Sequence, residues 1–234
     1  MKRMILAVLA LALALPALAV AGHKPGHGGG GGGGGGGGTP PAGAPGLSIA
    51  GNPNPVVFGT DAVISGTLKG TSQDAAQTIV LEATPFPYTA PFTVVTSKPT
   101  DAKGDYSFTV RPALATKYRV KSPTLTSGDL IQQVRLRVSF RLSDSTPFAR
   151  RLVTFSGRVS PKHIGKVVKI QRRPIGGKSF VTVATSRTSA GTSTYSTYSR
   201  RLRIYRDAVY RVRVLPGDSD HLFGQSRTRL INVH

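Results

Sequence analysis

The sequence predicts an all-β protein, two tandem β-sandwiches standing behind an export signal and a glycine-rich tail. Three observations carry this reading. Short apolar runs alternate with period two, Gly and Pro punctuate them, and the second half of the chain repeats the order of the first.

The N-terminus comes first. Lys2 and Arg3 precede an apolar stretch from Met4 to Leu15, then Pro16 and the small-x-small sites Ala17-Leu-Ala19 and Ala19-Val-Ala21. That order predicts a signal peptide over residues 1–21, cut after Ala21 or Ala19. No later segment reaches the ~18 apolar residues needed to span a bilayer, so the mature chain is expected to lack a transmembrane segment. Residues 22–46 follow, with eleven consecutive glycines from Gly28 to Gly38. Glycine has the most backbone entropy to lose and no side chain to bury, which predicts disorder. His23 and His27 sit on that tail, where no fixed geometry is available for a metal. The chain has no cysteine, so its cores must stabilise it without disulfides.

The repeat sets the domain reading. The first half offers Ala62-VISGTL, Thr78-IVLEA, Phe92-TVVT, Tyr106-SFTV, Lys117-YRV and Val134-RLRV. The second offers Val153-TFSGRV, Lys166-VVKIQ, Phe180-VTVAT, Tyr198-SRRLRI, Val209-YRVRV and Ser226-RTRLINV. Ser65-Gly66 matches Ser156-Gly157, Phe92 matches Phe180, Tyr106 matches Tyr198, and Tyr118-Arg-Val120 matches Tyr210-Arg-Val212. Each segment is short, rich in Val, Ile, Thr, Tyr and Phe, and alternating, as half-buried strands are. Leu202, Tyr205 and Val209 fall at helical spacing, but their repeat partner is a plain strand, so a strand is expected there too. Two sandwiches are therefore predicted, over 47–138 and 139–234. The junction from Val134 to Leu142 holds no Gly or Pro and predicts a strand running on between them.

The run Asp101-Ala-Lys-Gly104-Asp-Tyr106-Ser-Phe108, followed by Tyr118-Arg-Val120, resembles bacterial immunoglobulin-like and carboxypeptidase-regulatory-like repeats. Phe155-Ser-Gly-Arg-Val159, Tyr210-Arg-Val-Arg213 and Gly217-Asp-Ser-Asp-His221 are similar to repeats in secreted actinobacterial proteins of unknown function. The resemblance covers residues 47–234 and implies an immunoglobulin-like sandwich in each half, of the kind used as spacers, adhesins and accessory domains. The core disulfide and core Trp of antibody domains are both missing.

Chemistry is sparse. Asp101 and Asp105 could suggest calcium, but the second copy has Thr188-Ser-Ala-Gly-Thr-Ser-Thr-Tyr195 at that place, with no carboxylate. Calcium takes six to eight oxygens, so the two aspartates read as turn residues. Glu82 is the sole glutamate, and the histidines beyond the tail are His163, His221 and His234. Gly217-Asp-Ser-Asp-His221 resembles the Gly-Asp-Ser start of one esterase family, which gives the alternative of a secreted serine hydrolase using Ser219 and His221. A triad, however, draws its members from separate segments, and a turn is the simpler reading. No catalytic residue, metal or cofactor is expected.

Charge is the remaining signal. Residues 139–234 carry nineteen Lys/Arg against four Asp/Glu, whereas residues 47–138 carry nine against six. Arg211 and Arg213, and Arg227 and Arg229, are spaced by two, which places each pair on one strand face. With Lys169 and Arg173 on the neighbouring strand, six residues are expected to share an outer sheet face. Such a face suits an anionic cell-envelope polymer or another extracellular polyanion. The expected function is an exported, non-catalytic structural or binding protein. An accessory module that binds protein partners is the other alternative, and a solvated strand face is the plainest account of the arginines.

Overall fold

A computed structural model describes residues 44–234. The signal peptide expected over 1–21 lies outside the described residues, as does most of the tail expected over 22–46. The last tail residue, Gly46, already belongs to a strand, opposite Lys69.

Among the described residues every regular element is a strand. The first half forms β1 (Gly46–Leu47), β2 (Ala50–Asn52), β3 (Val56–Val57), β4 (Ala62–Lys69), β5 (Thr78–Pro85), β6 (Thr93–Pro99), β7 (Asp105–Val110), β8 (Thr116–Lys121), β9 (Leu130–Gln132) and β10 (Val134–Arg135). The second forms β11 (Arg137–Val138), β12 (Arg141–Leu142), β13 (Leu152–Ser160), β14 (Val167–Pro174), β15 (Val181–Arg187), β16 (Ser189–Ala190), β17 (Ser196–Arg203), β18 (Ala208–Leu215), β19 (Gly224–Gln225) and β20 (Arg229–Ile231).

The pairing repeats as the sequence does. In the first half β4 pairs with β1, β2 and β7, and a second sheet runs β6-β5-β8-β9. In the second half β13 pairs with β11, β12 and β17, and a second sheet runs β15-β14-β18 with β19 and β20 both on β18. Each half is thus a sandwich-like repeat with its own core. Ile64, Leu68, Ile79, Leu81, Phe108 and Val120 lie in one cluster, and Val153, Phe155, Val168, Ile170, Val212 and Val214 in the other. Burial of side chains of this size contributes roughly 1.5–3 kcal/mol each, which offsets the want of disulfides.

The matched Ser-Gly and Tyr-Ser pairs turn out to be one device. Gly66 pairs with Tyr106, and Gly157 with Tyr198. Each tyrosine hydroxyl donates to a carbonyl of the preceding segment, Ser48 in the first half and Ser139 in the second. A Cβ on either glycine would collide with that carbonyl and with the ring hydroxyl. Only glycine leaves the space. Burial pushes both tyrosine hydroxyls well above their usual range, so they remain donors.

Two expectations change in detail. The junction is extended, and its side chains alternate buried and exposed from Ile131 to Phe140, but its partners switch and divide it into β10, β11 and β12. Val134 packs in the first core and Leu136 in the second, ahead of the 138/139 boundary read from sequence. The strand expected to run on from Arg200 stops at Arg203. Ile204 turns into the core there, and β18 starts at Ala208.

Candidate functional site

The basic face is built by β14 and β18, which pair with Lys169 opposite Arg213 and Gln171 opposite Arg211. Val168, Ile170, Tyr210, Val212 and Val214 enter the core. Alternation therefore sends Lys169, Gln171, Arg173, Arg211 and Arg213 to the other face. The arginines there are half-buried rather than freely solvated. The Arg211 guanidinium lies 4.0 Å from the Phe180 ring centre, with Arg173 5.1 Å from the same ring. Arg213 lies 4.0 Å from Phe223, and Arg135 approaches that ring to 5.9 Å. Arg211 Nε donates to Gln171 Oε1 over 2.8 Å. Aromatic faces hold cations in this way and fix their planes. Burial, together with the charges of Arg213 and Arg173, lowers the basicity of Arg211. Among the described residues, no carboxylate pairs with any cation of this face, and Arg213 Nε is buried without an acceptor.

The first half shows what is missing. There β5 and β8 pair with Glu82 opposite Arg119 and Val80 opposite Lys121. Arg119 lies 4.0 Å from Phe92, as Arg211 does from Phe180. Glu82 accepts from Arg119 at 2.7 Å and from Lys121 at 3.0 Å. Burial works against its charge, but these two cations hold its carboxyl below the usual range. Position by position, the second half replaces Glu82 by Gln171, Val80 by Lys169 and Thr84 by Arg173. It has lost the internal carboxylate and gained Lys169 and Arg173, while Val209 stands where the first half has Lys117.

Arg227 and Arg229 do not join this face. Arg213 pairs with Gln225, yet Tyr210 pairs with Arg229, so the register slips by one residue between β19 and β20. A one-residue slip turns every later side chain to the opposite face. The cause is Ser226, whose hydroxyl accepts from Val212 N and donates to the Arg227 carbonyl. Ser127 does the same in the first half with Val120 N and the Gly128 carbonyl. Arg227 and Arg229 instead line an open groove with Arg141, beside Val138 and Phe140. The six residues expected on one face thus form a group of four and a group of two. Gln171, Phe180, Phe223 and Arg135 complete the larger group. The repeat in register carries that signal, in the match of Gln171 with Glu82.

A second constellation lies where the halves meet. His163 is in the β13–β14 loop, and Asp218, Asp220 and His221 are in the β18–β19 loop. One ligand atom from each lies within 4.8 Å of the other three. The β14–β18 register explains the meeting, because Val167 pairs with Leu215 and both loops leave that end of the sheet. His163 Nδ1 faces the Pro161 carbonyl at 3.1 Å, and His221 Nε2 faces the Ala113 carbonyl at 2.9 Å. Each remaining ring nitrogen is turned to a carboxylate. His163 Nε2 is 3.4 Å from Asp218 Oδ2, and His221 Nδ1 is 3.2 Å from Asp220 Oδ1.

The residues of the hydrolase alternative do not assemble. Both nitrogens of His221 are directed elsewhere, and among the described residues Ser219 makes no side-chain hydrogen bond with either histidine. Asp101 serves its turn, accepting from the backbone N–H groups of Lys103 and Asp105 at 2.8 and 2.9 Å. Those bonds hold its carboxyl below the usual range.

No protein-family model matches the chain, and no curated protein does. Solved structures similar to it include a tetra-tandem repeat in the extending region of a large adhesion protein, at 14% identity and TM-score 0.33 over 82% of this chain and 50% of that one. Red sea bream transglutaminase aligns at 14% identity and TM-score 0.37, covering 80% of this chain and 31% of that one. The Yersinia pseudotuberculosis adhesin InvE aligns at 12% identity and TM-score 0.32, covering 80% and 59%. This chain spans less than two thirds of the length of each.

Proposed function

We propose that the protein is an exported, non-catalytic binding protein made of two tandem immunoglobulin-like sandwiches. Its second half holds an anionic cell-envelope polymer or another extracellular polyanion against Lys169, Arg173, Arg211 and Arg213. The observation that carries this reading is Gln171 standing where the first half has Glu82. Glu82 occupies the place between two cations that an external oxyanion would take. With a neutral amide there, Arg211 and Arg213 keep donors to offer, and the buried Nε–H of Arg213 has no acceptor of its own. Stacking on Phe180 and Phe223 fixes both guanidinium planes beforehand, which reduces the ordering cost of binding. A planar fork suits phosphate, sulfate or carboxylate oxygens alike, so recognition is by charge rather than by sugar or base. Export rests on the composition of residues 1–21, and intact mass of the secreted chain should begin at Gly22.

The test is Gln171→Glu in the full chain, with a short DNA duplex as the polyanion probe. The change is isosteric and recreates the neutralised trio of the first half. Binding should weaken at least about tenfold, the scale of one charge-assisted hydrogen bond. For the parent, four phosphate contacts at about 0.9 released ions each predict roughly a hundredfold loss over a fourfold rise in salt. A variant that binds as the parent does, or binding indifferent to salt, would refute this role for the face.

A further inference from the structure

We propose that His163, Asp218, Asp220 and His221 form a four-ligand site for a divalent cation of zinc type, located where the two halves meet. The argument starts from the ring nitrogens. A backbone carbonyl can only accept, so Pro161 and Ala113 require N–H on His163 Nδ1 and His221 Nε2. In the neutral rings this leaves lone pairs on His163 Nε2 and His221 Nδ1, the two nitrogens that face the carboxylates. Zinc-bound histidines are oriented in this way, with the far N–H held by a carbonyl or carboxylate.

A lone pair 3.2–3.4 Å from a carboxylate oxygen is repulsive unless something positive lies between. A second proton is one answer, but the geometry fits it poorly. His221 Nδ1 and Asp220 Oδ1 are both buried and have no hydrogen-bond partner, since their approach lacks hydrogen-bond alignment. The His221 side chain is only 4% exposed and that of His163 8%, so water does not readily satisfy them. A cation placed centrally asks for a different arrangement. Ligand bonds of about 2.0–2.1 Å in a tetrahedron set neighbouring ligand atoms about 3.3–3.4 Å apart. The two His–Asp pairs sit at that spacing, and all four ligand atoms lie within 4.8 Å of one another.

Charge points the same way. Two carboxylates neutralise a dication, and Asp218 and Asp220 are half of the four acids in a region with nineteen Lys and Arg. Lys166 Nζ is also 3.2 Å from Asp218 Oδ2, the oxygen that faces His163 Nε2. Two imidazoles and two carboxylates in a tight group select zinc or a similar transition metal over calcium, which takes more oxygens and longer bonds.

The full chain is titrated with zinc, and with cobalt as a spectroscopic substitute. The parent should retain one zinc more than the His163→Ala/His221→Ala double variant, a difference to which His23 and His27 contribute equally in both. Zinc at a hundred times its Kd should raise the melting temperature by about 5–10 °C, reversed by chelator. Cobalt should give the intense visible bands of a tetrahedral ion. Should the double variant fail to fold, Asp218→Asn alters an exposed carboxylate and should weaken zinc at least about tenfold. Equal zinc retention by parent and variants, or a cobalt spectrum of octahedral type, overturns the site. So does a melting temperature that rises on acidification while zinc adds nothing, which would identify two protonated histidines paired with aspartates.

Discussion

Gly157 lies directly across the sheet from Tyr198, and the tyrosine hydroxyl passes beside it to donate to the Ser139 carbonyl 2.6 Å away. Gly66 and Tyr106 repeat the relationship with Ser48. The glycine is the clearance that lets the ring reach across. Gly157→Ala should therefore destabilise the second half by about 2–3 kcal/mol, as overpacked sites do. Tyr198→Phe should cost about 1 kcal/mol for the lost hydrogen bond. Urea unfolding measures both, and an alanine variant as stable as the parent would show that the strand edge yields.

The exchange of Glu82 for Gln171 predicts a gain as well as a loss. In a Gln171→Glu background, Glu82→Gln frees Arg119 and Lys121 beside Phe92. Polyanion binding lost by the first change should return in part, now through the first half. Binding measured at one fixed salt concentration decides it. If the double variant stays silent, the cations added at Lys169 and Arg173 matter more than the missing acid.

Acid should loosen the first half through Glu82. Its folded-state carboxyl lies below the ordinary value near 4.3, so its contribution is complete above about pH 5. That contribution is lost as pH falls through the lower, folded-state value. Urea midpoints taken from pH 7 to pH 3 should fall more steeply for the parent than for Glu82→Gln. Parallel profiles would mean that Arg119 and Lys121 stabilise the chain equally well without the acid.

Calcium in excess should leave the melting temperature unchanged, because the Asp101 carboxylate is already engaged by two backbone N–H groups. Asp101→Ala should lower the melting temperature by loosening the turn into β7. A calcium-dependent rise that disappears in this variant would show the loop to be a cation site after all.

Period-two alternation and the internal repeat made the strands and their order legible, because both follow from which side chains enter a core. Three features escaped that logic. The Ser226 slip is set by one hydroxyl bonding to the backbone, so nothing in the apolar pattern announced that Arg229 would stand opposite Tyr210. The stacking of Arg213 on Phe223 joins a strand to a loop whose path periodicity does not describe. The meeting of His163 with Asp218 spans a wide gap in sequence and needs the pairing of Val167 with Leu215, which only a settled register provides. The match of Gln171 with Glu82 likewise needs the register, because it follows from Arg119 and Arg211 standing opposite them.

The segment from Gln133 to Leu136 is bonded on two sides at once. Val56 and Phe58 donate to its carbonyls at Gln133 and Arg135, while Leu222 exchanges bonds with Val134 and Leu136. Its side chains are shared likewise, Val134 with one core and Leu136 with the next. Tension applied to the two ends of residues 44–234 would load these parallel bonds together, in shear, instead of unzipping them singly. A joint of this kind behaves as a strut and not as a slack tether. The spacing between the two cores is therefore set by hydrogen-bonded backbone that both halves share, and not by the length of a linker.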